Sequence, residues 1–335
     1  MNAPEPRAPF ECRLCQTTGP STLFKVREMM YGSRTAFDYI HCLACGCLQI
    51  HKIPSQLGEH YPPDYYSQAT RAEPPPEKGL KGAMIRWYCR SAALHSQSVL
   101  QSMLRAMLPL PGDFAAIGHY LVEAGLHSAT DRILDVGCGA SPHRLAAFRR
   151  CGFTAVEGID PFIAADTAYH GVPVYQRTLE QMEGPYGLIM FHHSLEHVPD
   201  PLATLKAAAR LLRTGGLCLV RMPVMNTYFW RTFGVDWVEI DAPRHLHVMA
   251  PETVGMLAEK TGFHLRKTTY DSQGWELAAS HQFRANIPLR DARSFDQAGV
   301  NGMFSAERLE KFEAQSSQLN QAADGGRACF YLEKI

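Results

Sequence analysis

The amino-acid sequence predicts an α/β fold, a mostly parallel sheet with flanking helices, preceded by a small cysteine-rich module. Three observations carry this reading. Apolar strand-like runs alternate with amphipathic helical runs from about residue 128 onward, the first of those strands ends in a glycine turn that opens a helix, and two C-x2-C pairs lie near the N-terminus. At 335 residues, 46% hydrophobic and 20% charged, the chain can bury one full-size core and a smaller module.

Composition excludes some functions before any motif is read. Lys plus Arg equals Asp plus Glu at 33 each, so no global positive field holds a polyanion, which weighs against a nucleic-acid partner. Apolar runs such as Leu188 to Phe191 fall far short of the roughly 20 residues that span a bilayer, so no transmembrane segment is expected. Met1 to Phe10 holds three prolines and one arginine rather than a charged head and an apolar stretch, so no secretory signal is read and a cytoplasmic location is expected. In a reducing compartment the ten cysteines are thiols or metal ligands rather than disulfides.

Residues 1–70 read as a zinc ribbon. Cys12-Arg-Leu-Cys15 and Cys42-Leu-Ala-Cys45 can each set two thiolates on one tight turn, and two such turns complete a tetrahedral Zn2+ site. The 26 residues between the pairs exceed the usual ribbon spacing, so the intervening stretch is read as a hairpin with a longer loop. Its strands are Ser21 to Met29 and Phe37 to His41, with Tyr31-Gly32-Ser33 as the turn. Cys47 competes for the fourth ligand place, and spacing favours Cys45. With six basic and six acidic residues the ribbon is a structural or substrate-docking module rather than an RNA clamp.

Residues 71–127 read as a linker and a helical segment. Arg71 to Gly82 contains Pro74-Pro75-Pro76 and two glycines, and Met84 to Met107 spaces its apolar residues as one or two helices do. Trp87 and Tyr88 beside basic residues allow a membrane-surface helix, but ordinary length and charge favour packing on the following domain.

Residues 128–335 form the main domain. Arg132 to Gly139 reads as a buried strand ending in a glycine turn, followed by a helix from about His143 to Cys151. The next strand, Thr154 to Ile159, ends at Asp160, a carboxylate able to accept hydrogen bonds from both hydroxyls of a ribose. No third glycine completes G-x-G-x-x-G, so the ligand need not carry a diphosphate. Asp200 and Pro201 suit the start of a helix with Leu202, Leu205, Ala208 and Leu212 on one stripe, and Gly215-Gly216 is read as its stop before a strand at Cys218 to Met222. Asp135, Gly137, Gly139, Asp160 and His192 all fall at strand carboxyl ends, where ligands of such sheets bind.

Leu134-Asp-Val-Gly-Cys-Gly139, then Gly158-Ile159-Asp160, the run from Tyr186 to Pro201 and the run from Leu211 to Leu217 together resemble the class I S-adenosylmethionine-dependent methyltransferases over roughly residues 128–270. That resemblance implies a Rossmann-like seven-stranded sheet with an antiparallel last strand, here Arg327 to Lys334, and S-adenosyl-L-methionine as cofactor. It implies that Thr178, Leu179 and Glu180 flank the adenine, and that Asp135, Gly137, Gly139, Asp160, Leu179 and His192 make the cofactor site. Ser141 stands where the family often has another glycine. The stretch at about 273–326, with a helix near Ser305 to Leu319, is read as an insertion for acceptor recognition or homo-oligomer contacts.

Methyl transfer to a hydroxyl requires alignment and loss of a proton, for which a histidine near neutral pKa suits. His193, His245 and His247 are the candidates, each weighed against a buried hydrogen-bonded histidine. Glu196-His197 is read as shaping the cofactor site, and Arg244 as pairing with Asp241 or with an acidic substrate. No Asn-Pro-Pro-Tyr or Asp-Pro-Pro-Tyr follows the fourth strand, where methylases of exocyclic base amines usually keep it. The ribbon, the tyrosine-rich exit from Tyr61 to Tyr66 and the C-terminal Phe330-Tyr331-Leu332 resemble bacterial methyltransferases associated with sugar and polysaccharide modification. O-methylation of a sugar, glycan precursor or other small molecule is therefore expected. The alternatives are an RNA methyltransferase with the ribbon as recognition module, and a non-catalytic cofactor-binding interaction protein.

Overall fold

β-branched and aromatic residues alternating with polar ones make the N-terminal module a set of short antiparallel strands. The computed structural model describes residues 5–6, 10–62, 79–94, 99, 103, 107, 112–295 and 303–335. The proline-rich stretch 71–78, Tyr65 and Tyr66 of the tyrosine-rich exit, and Leu100 and Leu104 of the expected helix lie outside those residues. Strands β1 (Glu5–Pro6), β2 (Phe10–Glu11), β3 (Thr18–Gly19), β4 (Ser21–Arg27), β5 (Ala36–Cys42) and β6 (Leu48–Ile50) build the module. β4 and β5 pair from Ser21↔Cys42 to Arg27↔Ala36, the expected hairpin. Its turn is held by Glu28, whose carboxylate accepts from the backbone N–H groups of Tyr31 at 2.9 Å and Ser33 at 3.0 Å.

Helices α1 (Gly79–Leu94) and α2 (Gly112–Glu123) follow, and α1 buries Cys89, Ala92 and Ala93 against the main domain. No helix among the described residues is long and apolar enough to cross a membrane.

The main domain alternates as expected. β7 (Ile133–Val136), α3 (His143–Arg150), β8 (Val156–Ile159), the short hairpin β9 (Thr167–Tyr169) and β10 (Val172–Tyr175), β11 (Tyr186–His192), α4 (Pro201–Leu211) and β12 (Leu212–Pro223) come first. α5 (Tyr228–Phe233), β13 (His247–Val248), α6 (Pro251–Lys260), β14 (Phe263–Tyr270), α7 (Gly274–Arg284), α8 (Ala306–Gln321) and β15 (Arg327–Lys334) complete the order. The large sheet runs β14-β15-β12-β11-β7-β8-β10-β9. β12, β11, β7, β8 and β10 are parallel in turn, and β15 enters antiparallel between β12 and β14. β11 is buried at all seven positions, as a central strand covered by helices on both faces must be. The fold is the Rossmann-like α/β architecture expected from the sequence, with β9 as an added edge strand.

α4 starts as read: the Asp200 carboxylate caps it by accepting from Ala203 N–H at 2.9 Å, and Pro201 fills the first helical position. Its stop differs. The helix ends at Leu211 and the chain turns extended at Leu212, so Gly215-Gly216 lies inside β12. There β11 and β12 shift register between Tyr186↔Leu212 and Leu188↔Leu217, and Gly215 takes φ +69° to absorb the extra residues.

The cysteine module and the main domain share a sheet. β13 pairs antiparallel with β6 through His247↔Gln49 and Val248↔Leu48, giving the order β1-β4-β5-β6-β13. A common apolar core runs from Val26, Tyr39 and Ile50 of the module to Phe229, Trp237 and Leu246 of the domain. Gly46, at φ +73°, sits where a Cβ would meet the Asn226 amide at 2.5 Å and Ala250 Cβ at 3.2 Å, so the second knuckle closes on the domain only as glycine. Arg244, 1% exposed, spans the junction: its guanidinium donates to Asp241, to Glu28 at 2.9 Å and to the His60 carbonyl at 3.1 Å. Burial pushes the Asp241 carboxyl up, and the adjacent guanidinium outweighs it and holds the group ionised. Removing one member of a buried ion network leaves uncompensated charge. Arg244→Ala is expected to lower unfolding stability by about 3 to 5 kcal/mol, read as a shift in urea midpoint. An unchanged midpoint would show the network to be energetically idle.

Candidate functional site

The turn after β7 brings the cofactor-side residues together. Gly137 has φ +71° and Gly139 φ +66°, and a Cβ on Gly137 would stand 2.6 Å from that of Ser194. The Ser194 hydroxyl donates to the Val136 carbonyl at 2.6 Å, which ties the turn to the segment leaving β11. Asp160, at the end of β8, accepts from Gly139 N–H at 3.0 Å and Phe162 N–H at 2.8 Å. Each carboxylate oxygen keeps a second lone pair for a ribose hydroxyl.

Asp135 is buried with neither carboxylate oxygen hydrogen-bonded, and Arg144 approaches only to 3.7 Å. Burial lifts its pKa to about 6, against the pull of Arg144 and with a push from Asp160. His192 is likewise buried with neither ring nitrogen partnered, its ring 5.0 Å from that of Tyr120. Buried polar groups without partners on both sides of a glycine turn are what a ligand carrying donors and acceptors completes. S-adenosylmethionine, with an amino acid at one end and a ribose in the middle, fits this donor set. Leu179 is buried in the 3-10 turn Leu179–Gln181.

The histidines expected from the sequence to serve an acceptor divide. His193, Glu196, His197 and His245 converge just past the carboxyl end of β11. His193 takes φ +52°; its Nδ1 lies 3.4 Å from Glu196 Oε1, and its Nε2 accepts from Arg221 at 2.5 Å. Arg221 is in turn paired with Asp271. His245 donates from Nδ1 to the Glu239 carbonyl at 2.7 Å and places Nε2 4.0 Å from Glu196 Oε1. His197 donates from Nδ1 to the Arg244 carbonyl at 2.9 Å, with the Tyr61 hydroxyl 2.9 Å from the same nitrogen, and its ring meets that of His245 edge to face at 4.7 Å. His247 stands apart on β13, its Nε2 3.4 Å from the Pro199 carbonyl. Burial pushes all four rings below their ordinary value, to about 3 for His197 and His247, so they are neutral.

Glu196 is the residue that sequence reading undervalued. Its side chain is fully buried, both oxygens lack hydrogen bonds, and burial pushes its pKa to about 8. Arg221, and the contact of Tyr61 with His197, carry no local sequence signal. An acid directly before a histidine after an apolar strand was the available signal for Glu196. The partners of Tyr61 and Arg221 come from segments distant in sequence.

The cysteine cluster is formed by the four residues that spacing selected. One sulfur from each of Cys12, Cys15, Cys42 and Cys45 lies within 4.8 Å of the others, with Cys12 to Cys45 at 3.7 Å and Cys15 to Cys42 at 3.8 Å. Gln49, fully buried, donates to Cys12 Sγ at 2.9 Å. Cys47 turns away and donates to the Leu48 carbonyl. Thr253 of α6 donates to the Cys45 carbonyl at 2.6 Å, a second tie between this cluster and the domain.

Residues 110–268 match a family model described as a methyltransferase domain. The chain carries an S-adenosylmethionine-dependent methyltransferase domain. The ubiquinone biosynthesis O-methyltransferase of Pseudomonas aeruginosa strain LESB58 is 28% identical over 162 residues, covering 43% of this chain and 68% of that protein. Its counterpart in Xanthomonas oryzae pv. oryzae strain PXO99A is 32% identical over 131 residues, 35% of this chain and 50% of that protein. Among solved structures, the cyclopropane synthase MmaA2 from Mycobacterium tuberculosis is 20% identical with a TM-score of 0.40, covering 66% of this chain and 84% of the other. The matched stretch of the methyltransferase domain holds the glycine turn, Asp160 and the cluster around Glu196, and leaves the cysteine module outside.

Asp135 gives the site a pH signature in the ligand-free protein. Its pKa rises from 3.8 unfolded to about 6 folded, so the stability tied to its proton is present below pH 3.8 and is lost as pH rises through 6. Two units correspond to roughly 3 kcal/mol. Asp135→Asn is expected to match wild type near pH 4 and to exceed it by up to about 3 kcal/mol at pH 7, measured by chemical denaturation at both pH values. Equal stability at pH 7 would contradict the buried-carboxylate account.

Proposed function

We propose that this protein transfers a methyl group from S-adenosylmethionine to a hydroxyl oxygen of a small molecule, a sugar or glycan precursor in the finer reading. The observation that carries it is the convergence of Glu196, His197 and His245 just past the carboxyl end of β11, with both Glu196 oxygens buried and without hydrogen bonds. An acceptor hydroxyl brings the donor that Glu196 lacks, and its proton is drawn off as the oxygen becomes a nucleophile. Bound S-adenosylmethionine supplies the electrophile, a methyl group on a sulfonium. Asp160 would hold the ribose, Gly137 and Gly139 admit the methionine part, and Asp135 and His192 complete the polar contacts. The names of the relatives support oxygen as the methylated atom; ubiquinone itself belongs to those proteins. The neutral charge of the chain supports a small acceptor over RNA.

Cys12, Cys15, Cys42 and Cys45 would hold one structural Zn2+, with the Gln49 N–H···S bond orienting the first ligand. Elemental analysis should find it, and Cys12→Ser with Cys42→Ser should remove one equivalent. A folded wild-type preparation without metal would end this assignment.

Asp160→Ala should weaken S-adenosylhomocysteine binding about tenfold or more, measured by calorimetry. Unaltered affinity would move the ribose elsewhere.

His245→Ala should cost roughly 10² to 10⁴ in turnover with cofactor affinity nearly unchanged. The same variant at His247, which stands outside the cluster, should cost far less, with His193 between them. Labelled methyl groups from the cofactor, followed into RNA, protein, glycan and small-molecule fractions of an extract, identify the acceptor. Label confined to RNA would reject the hydroxyl reading, and no label in any fraction would favour a binding role.

A further inference from the structure

Two imidazoles and a carboxylate meet beside the methyltransferase turn in an arrangement that proton transfer alone does not explain. One ligand atom from each of Glu196, His197 and His245 lies within 4.8 Å of the others. A carbonyl oxygen can only accept, so the bonds to Glu239 and Arg244 place the proton of each ring on Nδ1, where at His197 the Tyr61 hydroxyl is a second neighbour able to accept, and leave a lone pair on each Nε2. Neutral imidazole with Nδ1–H anchored on a backbone carbonyl is the state in which histidine binds metal. Glu196 is fully buried and neither of its oxygens has a hydrogen-bond partner. A single proton on Glu196 serves one of the facing pairs, whereas a positive charge at the centre serves all three donors.

We propose that Glu196, His197 and His245 form a site for a divalent transition-metal ion, separate from the cysteine cluster. Imidazole and carboxylate suit Zn2+, Fe2+, Co2+ or Ni2+, and three protein ligands leave positions open for a further oxygen. With metal–ligand bonds of about 2.1 Å, tetrahedral neighbours stand about 3.4 Å apart. The 4.0 Å between His245 Nε2 and Glu196 Oε1 therefore closes by about 0.6 Å, within reach of side-chain adjustment. The nearby charges permit it: Asp241 is neutralised by Arg244, and Arg221 is engaged with Asp271 and His193. The role of the ion rests on the hydroxyl reading above, since a positive charge beside the acceptor oxygen lowers its pKa; its binding does not.

Cobalt titration of the full chain, after metal removal and without cofactor or acceptor, tests the site by absorption. Two Co2+ per chain are expected. One gives thiolate-to-metal charge-transfer bands from the cysteine cluster, and the other gives only weak ligand-field bands of nitrogen and oxygen donors. Glu196→Gln and, separately, His197→Gln should abolish the second and leave the first. One Co2+ per wild-type chain, with thiolate bands alone, overturns the proposal whatever the variants do, as does a second ion that both variants retain. A methyl group found on nitrogen or carbon rejects the hydroxyl reading and leaves the cobalt result standing.

Discussion

Arg244 holds two parts of the chain in one register. Its five N–H donors meet a carboxylate on its own loop, a carboxylate on the cysteine module and a carbonyl beyond the module's last strand, with the arginine itself buried. A lysine offers a point charge and cannot fork in this way. The neighbour of this arginine, His245, and the strand that begins two residues later inherit their positions from it. The position of the histidine cluster therefore leans on a contact made by the residue next to His245.

The two halves of the site are built on different principles. The proposed cofactor side depends on the absence of side chains, because Gly137 admits Ser194 only without a Cβ, and the parallel strand ends aim the turn outward. The proposed acceptor side depends on one carboxyl group left without hydrogen bonds. Glu196 sits buried among histidine rings with neither oxygen hydrogen-bonded, at a cost in folding stability that the surrounding apolar packing must cover.

What was legible in the sequence follows from how local each constraint is. A thiolate pair on one turn needs C-x2-C, and a glycine turn after a buried strand needs Leu-Asp-Val-Gly-Cys-Gly, so both could be read from short windows, as could the Asp200-Pro201 helix start. The stop of α4 was misread, because Gly215-Gly216 answers to a register shift against β11 that no window of one strand contains. The pairing of β6 with β13 involves two residues on each side, too few to leave a periodic trace. Glu196 looked like a shaper of the cofactor site because a sequence displays which polar groups exist and conceals which of them lack partners.

The shared sheet has a consequence for how the chain is made. β6 is synthesised early, and its partner His247–Val248 emerges nearly two hundred residues later. At about 5 to 20 residues per second the module waits on the order of 10 to 40 s with one strand edge bare. An unpaired edge is a template for association with other chains. β6 is only three residues long and its rim carries Arg13 bound to the Ile50 carbonyl, so little edge is offered during that interval. The nascent module is thus protected by brevity until the ribosome delivers its fifth strand.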